Sequence, residues 1–245
     1  MNKKVVYTSI FGDYEPLKEL KSKYKENDID YICFTDCEKI LNSKEAKNWK
    51  IIKIDIPKPI NWDDNYDEWD GHYKNREIKI NIEKYLGEYD YSLYIDGSFK
   101  IINCVGDFFN EFIESEYNIF IPKHPKYNCI YKEAKQLIKH KYDRKLRINN
   151  LIKFYKNEKF PRDYGLGENG FCFRKHNSST YKLMEQWLKI VYTKCRRDQM
   201  SLLYCSWKYN IPIFCFESKK RAEYVKFYGG KWSRIRGFHQ AKKFD

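Results

Sequence analysis

A carboxylate, a glycine and a hydroxyl follow one another at Asp96-Gly97-Ser98, directly after the apolar and aromatic run Tyr91-Ser92-Leu93-Tyr94-Ile95. That run, preceded by a turn signal at Gly87 and Asp90, reads as a buried strand. An acid where such a strand leaves a sheet is placed to hold a metal ion or a sugar ring, because ligands of open α/β sheets gather beyond the carboxyl ends of the strands. An isolated Asp-Gly pair would serve equally well as a strand-ending turn. Arg76 and Lys79 add a second chemistry. They stand on a segment from Tyr73 to about Tyr85 that reads as a helix, so they share one face near its start. Two cations there, with the helix dipole, make either an anion site or an exposed basic face. The stretch 61–72 is acidic and aromatic in a basic chain. Rings flanked by carboxylates suit the faces and hydroxyls of sugars, and a solvated acidic loop has the same composition. The Gly-rich stretch 160–170 contains Glu168 and reads as a loop. Asp198 stands where it would cap a helix from Gln199 to Lys208, and Ser179 where it would cap one from Thr180 to Cys195. Gly229-Gly230-Lys231 is too short to be a phosphate loop, and His239 alone reads as a surface residue.

The elements that must position these groups alternate along the chain. Residues 4–10, 29–35 and 49–56 read as strands, the last ended by Pro57 and Pro59. Phe11-Gly12-Asp13-Tyr14 turns off the first strand, and the second closes at Asp36. After the strand that begins at Tyr91, residues 106–116 carry an apolar stripe of Phe108, Phe109, Phe112 and Ile113 and read as a helix. Ile119-Phe120-Ile121 and Phe171-Cys172-Phe173 read as further strands, with helices over 131–140 and 147–156 between them. Strand, turn, linker, strand, acid is the rhythm of a nucleotide-binding α/β half. No repeat, linker or low-complexity tract divides the chain, so the expectation is an α/β fold in one domain over 1–245.

Composition narrows the function classes. A chain of 245 residues buries roughly 70–75% of its unfolded surface and needs no disulfide staples. Its eight cysteines form no Cys-x-x-Cys pair and no zinc-finger spacing, and most sit in apolar runs, which suits a reducing compartment. The net charge of +13 points to an anionic partner. Its lysines are spread through the whole sequence rather than gathered into a stripe, and no nucleic-acid-binding signature is present, so a nucleic-acid partner is not expected. No apolar run approaches the roughly 20 residues of a membrane helix. The expectation is a soluble, cytoplasmic protein with peripheral contact to an anionic membrane through its basic surface.

Taken in order, the motifs resemble those of a glycosyltransferase-like family, once catalogued as a domain of unknown function, that bacteria share with plants; some plant members help make mucilage and cell-wall polysaccharides. The resemblance lies in Tyr7-Thr8-Ser9-Ile10-Phe11-Gly12-Asp13-Tyr14, Cys33-Phe34-Thr35-Asp36, Asn75-Arg76 with Lys79, Tyr94-Ile95-Asp96-Gly97-Ser98, His124, and Cys129-Ile130-Tyr131-Lys132-Glu133-Ala134. It continues through Gly165-Leu166-x-Glu168, Arg174-x-His176-Asn177 and Arg197-Asp198-Gln199-Met200-Ser201. It implies a single GT-A-like domain, a mostly parallel central sheet flanked by helices, with 1–100 as the nucleotide-binding half and 101–245 as the acceptor half and tail. It implies a nucleotide-sugar donor, UDP-linked in the first instance, and a glycan or glycolipid acceptor in polysaccharide or surface-glycan assembly. Thr8, Phe11 and Tyr14 would then hold the base, Asp36 the base or ribose, and Arg76, Lys79 and Lys231 the diphosphate. Asp96 would stand in the Asp-x-Asp position that binds ribose and Mn²⁺ or Mg²⁺, with His239 as a further metal ligand. Ser98 replaces the second aspartate, so metal binding would lean on His239, or the cations would act without a metal. Asp198 would be a general base or, with Gln199, face the sugar's reacting carbon in a retaining transfer, the favoured outcome. Glu168 would bind hydroxyls of donor or acceptor. A non-catalytic sugar-binding member is the alternative that the missing aspartate suggests.

Overall fold

The structure is a computed structural model and describes residues 2–60, 62–63 and 67–228. In chain order the elements are β1 (Lys4–Ile10), β2 (Ile29–Thr35), α1 (Glu38–Leu41), β3 (Lys50–Lys53), α2 (Gly71–Ile80), α3 (Ile82–Leu86), β4 (Tyr91–Ile95), β5 (Phe99–Ile101) and α4 (Gly106–Glu114). They continue with β6 (Ile119–Pro122), α5 (Ile130–Lys139), α6 (Lys145–Asn157), β7 (Phe171–Lys175), α7 (Ser178–Thr193), α8 (Leu202–Tyr209), β8 (Phe214–Phe216), α9 (Ser218–Tyr224) and β9 (Val225–Phe227).

Seven strands form the central sheet in the order β3-β2-β1-β4-β7-β6-β8, and β5 and β9 make a small antiparallel pair beside it. Only β7 runs against its neighbours in the large sheet. The expected mixed, mostly parallel α/β architecture is present, with helices on both faces. The strands are nearly continuous apolar runs because both faces are covered. On one face, Val5, Tyr7, Phe34 and Tyr94 pack with Ile78 of α2, Ile148 of α6 and Trp187 of α7. On the other, Val6, Leu93, Ile95 and Phe173 pack under the aromatic stripe Phe108, Phe109 and Phe112 of α4.

The chain runs outward from β1 through β2 to β3 and then returns to place β4 on the other side of β1. That reversal opens a crevice beyond the carboxyl ends of β1 and β4, where doubly wound sheets bind their ligands. Its two lips are Phe11–Tyr14 and Asp96–Ser98.

Several local expectations are corrected. The helix expected from Tyr73 to Tyr85 begins at Gly71, capped by Asp70, whose Oδ1 accepts from the backbone N–H groups of His72 (3.0 Å) and Tyr73 (3.3 Å). It breaks at Asn81 into α2 and α3. Arg76 is therefore mid-helix and Lys79 lies in the last turn, so the two make no N-terminal anion site. Asn177, not Ser179, caps α7, its Oδ1 accepting from Thr180 N–H at 3.0 Å. Asp198 opens a short 3-10 turn and makes no cap bond. Thr8, assigned to the base by the resemblance, lies inside β1 two residues before its end.

The stretch 61–72 reads from sequence either as aromatic faces for sugars or as a solvated acidic loop. In its described part Trp62 and Trp69 instead pack on each other, on Tyr73 and on Tyr192. Asp67 is buried, accepts from Tyr73 Oη at 3.0 Å, and pairs with Arg147 Nη1 at 2.9 Å and Arg196 Nη1 at 3.2 Å. The segment clasps α2, α6 and the turn before Asp198. Among the described residues no helix is long and apolar enough to cross a membrane.

Candidate active site

A cleft of about 730 Å³ occupies the β1/β4 crevice, a volume within the usual range for small-molecule sites. One wall comes from the chain after β1, Ile10 to Lys18, and from residues 39–45. The floor is Asn75, Arg76 and Lys79 of α2 with Asp96–Phe99. The far wall comes from Tyr142, Glu168–Gly170 and Arg196–Gln199.

The floor carries a buried ionic array. The Lys79 ammonium lies 2.6 Å from Asp198 Oδ2 and 3.7 Å from Asp96 Oδ1, and 4.8 Å from the centre of the Tyr94 ring. Arg76 Nη2 approaches Asp198 Oδ1 at 3.3 Å. The Lys79 and Asp198 side chains are only 2% and 6% exposed, so both depend on each other for charge compensation. Burial would raise the Asp198 carboxyl, but the charges of Arg76 and Lys79 outweigh it and hold the group far below the ordinary carboxylate range. Asp198 is thus a fixed anion and a poor base.

Second contacts explain how α2 presents these side chains. The carbonyl of Lys79, at the C-terminal end of the helix, accepts from Tyr7 Oη at 2.7 Å and from Arg174, which is fully buried and also donates to Tyr7 Oη. A buried cation at a helix C-terminus complements the dipole and fixes the last turn. At the other end of the array, Asn75 Nδ2 donates to Ser9 O at 2.7 Å and to Tyr94 Oη at 3.1 Å, tying α2 to β1 and β4. Asp198 O accepts from Trp187 Nε1 at 3.0 Å. Arg196 Nη2 reaches Asp70 Oδ2 at 2.9 Å, and Arg196 O accepts from neutral His72 Nε2 at 2.6 Å. Burial, reinforced by Arg76 and Arg196, keeps the His72 imidazole uncharged.

Of the residues singled out from sequence, Phe11, Tyr14, Arg76, Lys79, Asp96, Ser98, Glu168, Asp198 and Gln199 all line this cleft. Tyr14 is half-exposed at its mouth, whereas the Phe11 side chain is almost wholly in the core. Thr8 and Asp36 are not among the lining residues. Thr8 is buried in β1, and its hydroxyl has no partner among the described residues. Asp36 accepts from Gly12 N–H at 2.9 Å and has Lys74 Nζ at 3.6 Å, which shapes the turn after β1. Gly12 holds a φ of 67°, a left-handed conformation that favours glycine. Lys231 and His239 lie outside the described residues.

The described residues do not by themselves fit a divalent cation. No three His, Cys, Asp or Glu side chains among them cluster closely enough to hold one, and Asp96 has an ammonium at 3.7 Å. Ser98 contributes its carbonyl to Tyr228 N–H at 2.8 Å, which joins the end of β9 to the rim of the cleft.

Three residues carry no role in the sequence reading. Glu15 lines the cleft and packs on Gly97: a Cβ placed there would lie 2.8 Å from Glu15 Oε1. Burial, with help from the charge of Asp96 and against that of Lys18, pushes the Glu15 carboxyl up to about 7. Asn169 is 1% exposed, and neither of its amide atoms has a partner among the described residues. Arg197 lines the far wall, discussed below. Glu15 follows Asp13-Tyr14 and could be suspected from the turn after β1; Arg197 stands in the motif it begins, and Asn169 carries no local signal. Gly170 closes the arrangement. Its carbonyl accepts from Asp96 N–H at 2.8 Å, and a Cβ there would meet Asp96 Oδ2 at 2.6 Å.

No curated protein matches this chain in sequence. Among solved structures, the mannosyltransferase Ktr4p from S. cerevisiae is similar at 13% identity with a TM-score of 0.47, over 83% of this chain and 64% of that one. This chain therefore spans a little under two thirds of that structure. Residues 1–229 match the family described as TOD1/MUCI70, glycosyltransferase-like domain, and the chain belongs to that family.

Proposed function

We propose that this protein is a GT-A-type glycosyltransferase that takes a sugar from a nucleotide-sugar donor, UDP-linked in the first instance, to a hydroxyl of a glycan or glycolipid. The observation that carries this reading is the convergence of Asp96, Lys79, Arg76 and Asp198 at the carboxyl ends of β1 and β4, inside a cleft large enough for a nucleotide-sugar. Family membership supports it. Tyr14 offers its ring to the base, and Asp96 accepts from ribose or sugar hydroxyls. Arg76 and Lys79 supply positive potential at the diphosphate as the bond from the sugar's reacting carbon to the phosphate oxygen breaks and the electron pair leaves with the nucleotide. The acceptor oxygen forms the new bond and its proton passes to the departing phosphate. Glu168 and Gln199 face sugar hydroxyls from the far wall.

Asp198 supports transfer with retention. An anion held ionised by two cations is a weak proton acceptor, but it stabilises positive charge at the reacting carbon. The role assigned to Arg76 and Lys79 needs no metal. A divalent ion would require ligands beyond the described residues, with His239 the expected one, and no step here depends on it. A polysaccharide or surface-glycan pathway, and a membrane-bound glycolipid acceptor met through the basic surface, are consistent with the charge of +13.

The test is release of nucleotide from UDP-, GDP-, CDP- and dTDP-linked sugars, with and without Mn²⁺, by wild type and Asp96→Asn. Turnover of one donor that Asp96→Asn lowers at least about a hundredfold supports the reading. Binding of a donor without turnover would leave a nucleotide-sugar-binding protein instead. Absence of both, or an Asp96→Asn variant equal to wild type, overturns it.

A further inference from the structure

The cations of the cleft are almost all committed to carboxylates. Lys18 is 3.7 Å from Glu15, Lys39 pairs with Asp13, Arg76 and Lys79 pair with Asp198, and Arg196 pairs with Asp67 and Asp70. Arg197 differs. It lines the same cleft, yet no carboxylate lies within ion-pair distance of it among the described residues. Its guanidinium sits instead 5.7 Å from the ring centre of Tyr142, which is 45% exposed and also lines the cleft.

The backbone that carries the ring is held just after α5, where Tyr142 N–H donates to Leu137 O at 2.9 Å and Lys141 before it turns the chain with a φ of 56°. The pair lines the same cleft as Glu168–Gly170, and the Arg197 charge also reaches the Tyr14 hydroxyl at the mouth. The nucleotide side of a doubly wound sheet lies at the switch point between β1 and β4, so this part of the cleft faces whatever approaches the donor sugar. A planar guanidinium with no carboxylate in ion-pair reach among the described residues, beside a half-exposed ring, has a definite complement. The fork donates two parallel N–H groups to a carboxylate, and the ring takes the C–H face of a pyranose.

We propose that Arg197 and Tyr142 form an acceptor subsite for an acidic sugar, a hexuronate residue whose carboxylate meets Arg197 while its ring lies on Tyr142. This rests on the reading of the cleft as a donor-sugar site, and makes the protein a transferase acting on an anionic glycan.

The probes are a tetrasaccharide of β-1,4-linked glucuronate, its neutral glucose counterpart, and UDP. Affinities are measured by calorimetry at low and high salt for wild type, Arg197→Gln and Tyr142→Ala. Among the described residues no carboxylate lies within ion-pair distance of Arg197, and Asp198 keeps Lys79 and Arg76 when glutamine replaces Arg197, so the thermal midpoint of Arg197→Gln should match wild type. Wild type should bind the acidic oligosaccharide about tenfold or more tighter than the neutral one, with the preference shrinking at high salt. Arg197→Gln should erase that preference while UDP affinity stays within about twofold. Tyr142→Ala should weaken both oligosaccharides. The proposal is overturned if wild type shows no preference for the acidic chain. It is equally overturned if Arg197→Gln loses UDP affinity and leaves the preference intact, which would assign Arg197 to the donor diphosphate. Failure of the nucleotide-sugar reading looks different: UDP would not bind wild type, while an Arg197-dependent preference for the acidic chain would still support the subsite.

Discussion

Replacing Lys79 by methionine is the most informative perturbation of the fold, because the same side chain holds the site together. Its ammonium is 2.6 Å from Asp198 and its side chain is 2% exposed, so methionine keeps the volume of the stem and removes only the charge. Asp198, itself 6% exposed, would then depend on Arg76 at 3.3 Å alone. Removing one partner of a buried pair costs about 3–5 kcal/mol, chiefly through the charge left behind. In a domain of this size about 2–4 °C of melting temperature accompanies each kcal/mol, so the expected drop is roughly 6–20 °C. Asp198→Asn should cost a similar amount, since it takes the carboxylate from Arg76 and leaves Lys79 only the longer contact to Asp96 at 3.7 Å. The double variant Lys79→Met/Asp198→Asn should fall short of the summed losses by at least about 1.5 kcal/mol, because the Lys79–Asp198 pair is removed as a unit and only Arg76 loses a partner. Urea unfolding of the four proteins measures this. Asp198 also sets an acid limit. Its folded-state value lies below the unfolded one, so the stability it contributes is present above about pH 4 and is lost as pH falls through the folded value. The gap between wild type and Asp198→Asn should therefore narrow below about pH 4. A Lys79→Met variant losing less than about 1 kcal/mol, or single losses that simply add, would refute the buried-array account.

Three other outcomes follow from the geometry. Glu15 titrates near 7 in the folded state against about 4.3 unfolded, so the folded protein holds the extra proton between these values and the contribution falls as pH rises through them. Glu15→Gln should match wild type near pH 4 and exceed it at pH 8, by up to about 3 kcal/mol in urea unfolding. Gly170→Ala should lower both donor affinity and melting temperature, since its Cβ would press on Asp96 Oδ2 at 2.6 Å and on the Phe99 ring at 3.0 Å; calorimetry with UDP and a thermal melt would check both. Asp67→Asn should destabilise the chain by about 3 kcal/mol in urea, as it removes the anion shared by Arg147 and Arg196.

Much of the scaffold was legible in the sequence. β1, β2 and β4 begin at the expected residues because parallel strands covered on both faces are unbroken apolar runs between turn residues. β3 was read too long: its alternation continues to Ile56, but pairing with β2 stops at Lys53. The start of α2 was missed because Asp70 and Gly71 close an acidic stretch that resembles a solvated loop, and only the hydrogen bonds to Asp70 reveal a cap. That error moved Arg76 and Lys79 toward the wrong end of the helix. Asp198 shows the complementary difficulty. An acid before a helical pattern reads as a cap, yet its carboxylate is drawn to Lys79, 119 residues earlier, and such pairing has no local signature. The aromatic rings of the stretch 61–72 pack inward for the same reason, since their partner Tyr192 lies on α7. The lips of the cleft could be located because the acid after β4 and the turn after β1 are local features. The packing of Glu15 on Gly97, the closed-off amide of Asn169 and the approach of the Arg197 guanidinium to Tyr142 exist only once the fold is assembled.

Calorimetric titration of wild type and Asp96→Asn with UDP-linked sugars, followed by release of UDP from the donor that binds, tests the central claim most directly. The account predicts a single tight-binding donor for wild type, turned over slowly in the absence of acceptor. It predicts that Asp96→Asn folds normally but loses at least about a hundredfold in turnover. A wild-type protein that binds no nucleotide-sugar, or an Asp96→Asn variant that turns one over at the wild-type rate, would contradict it.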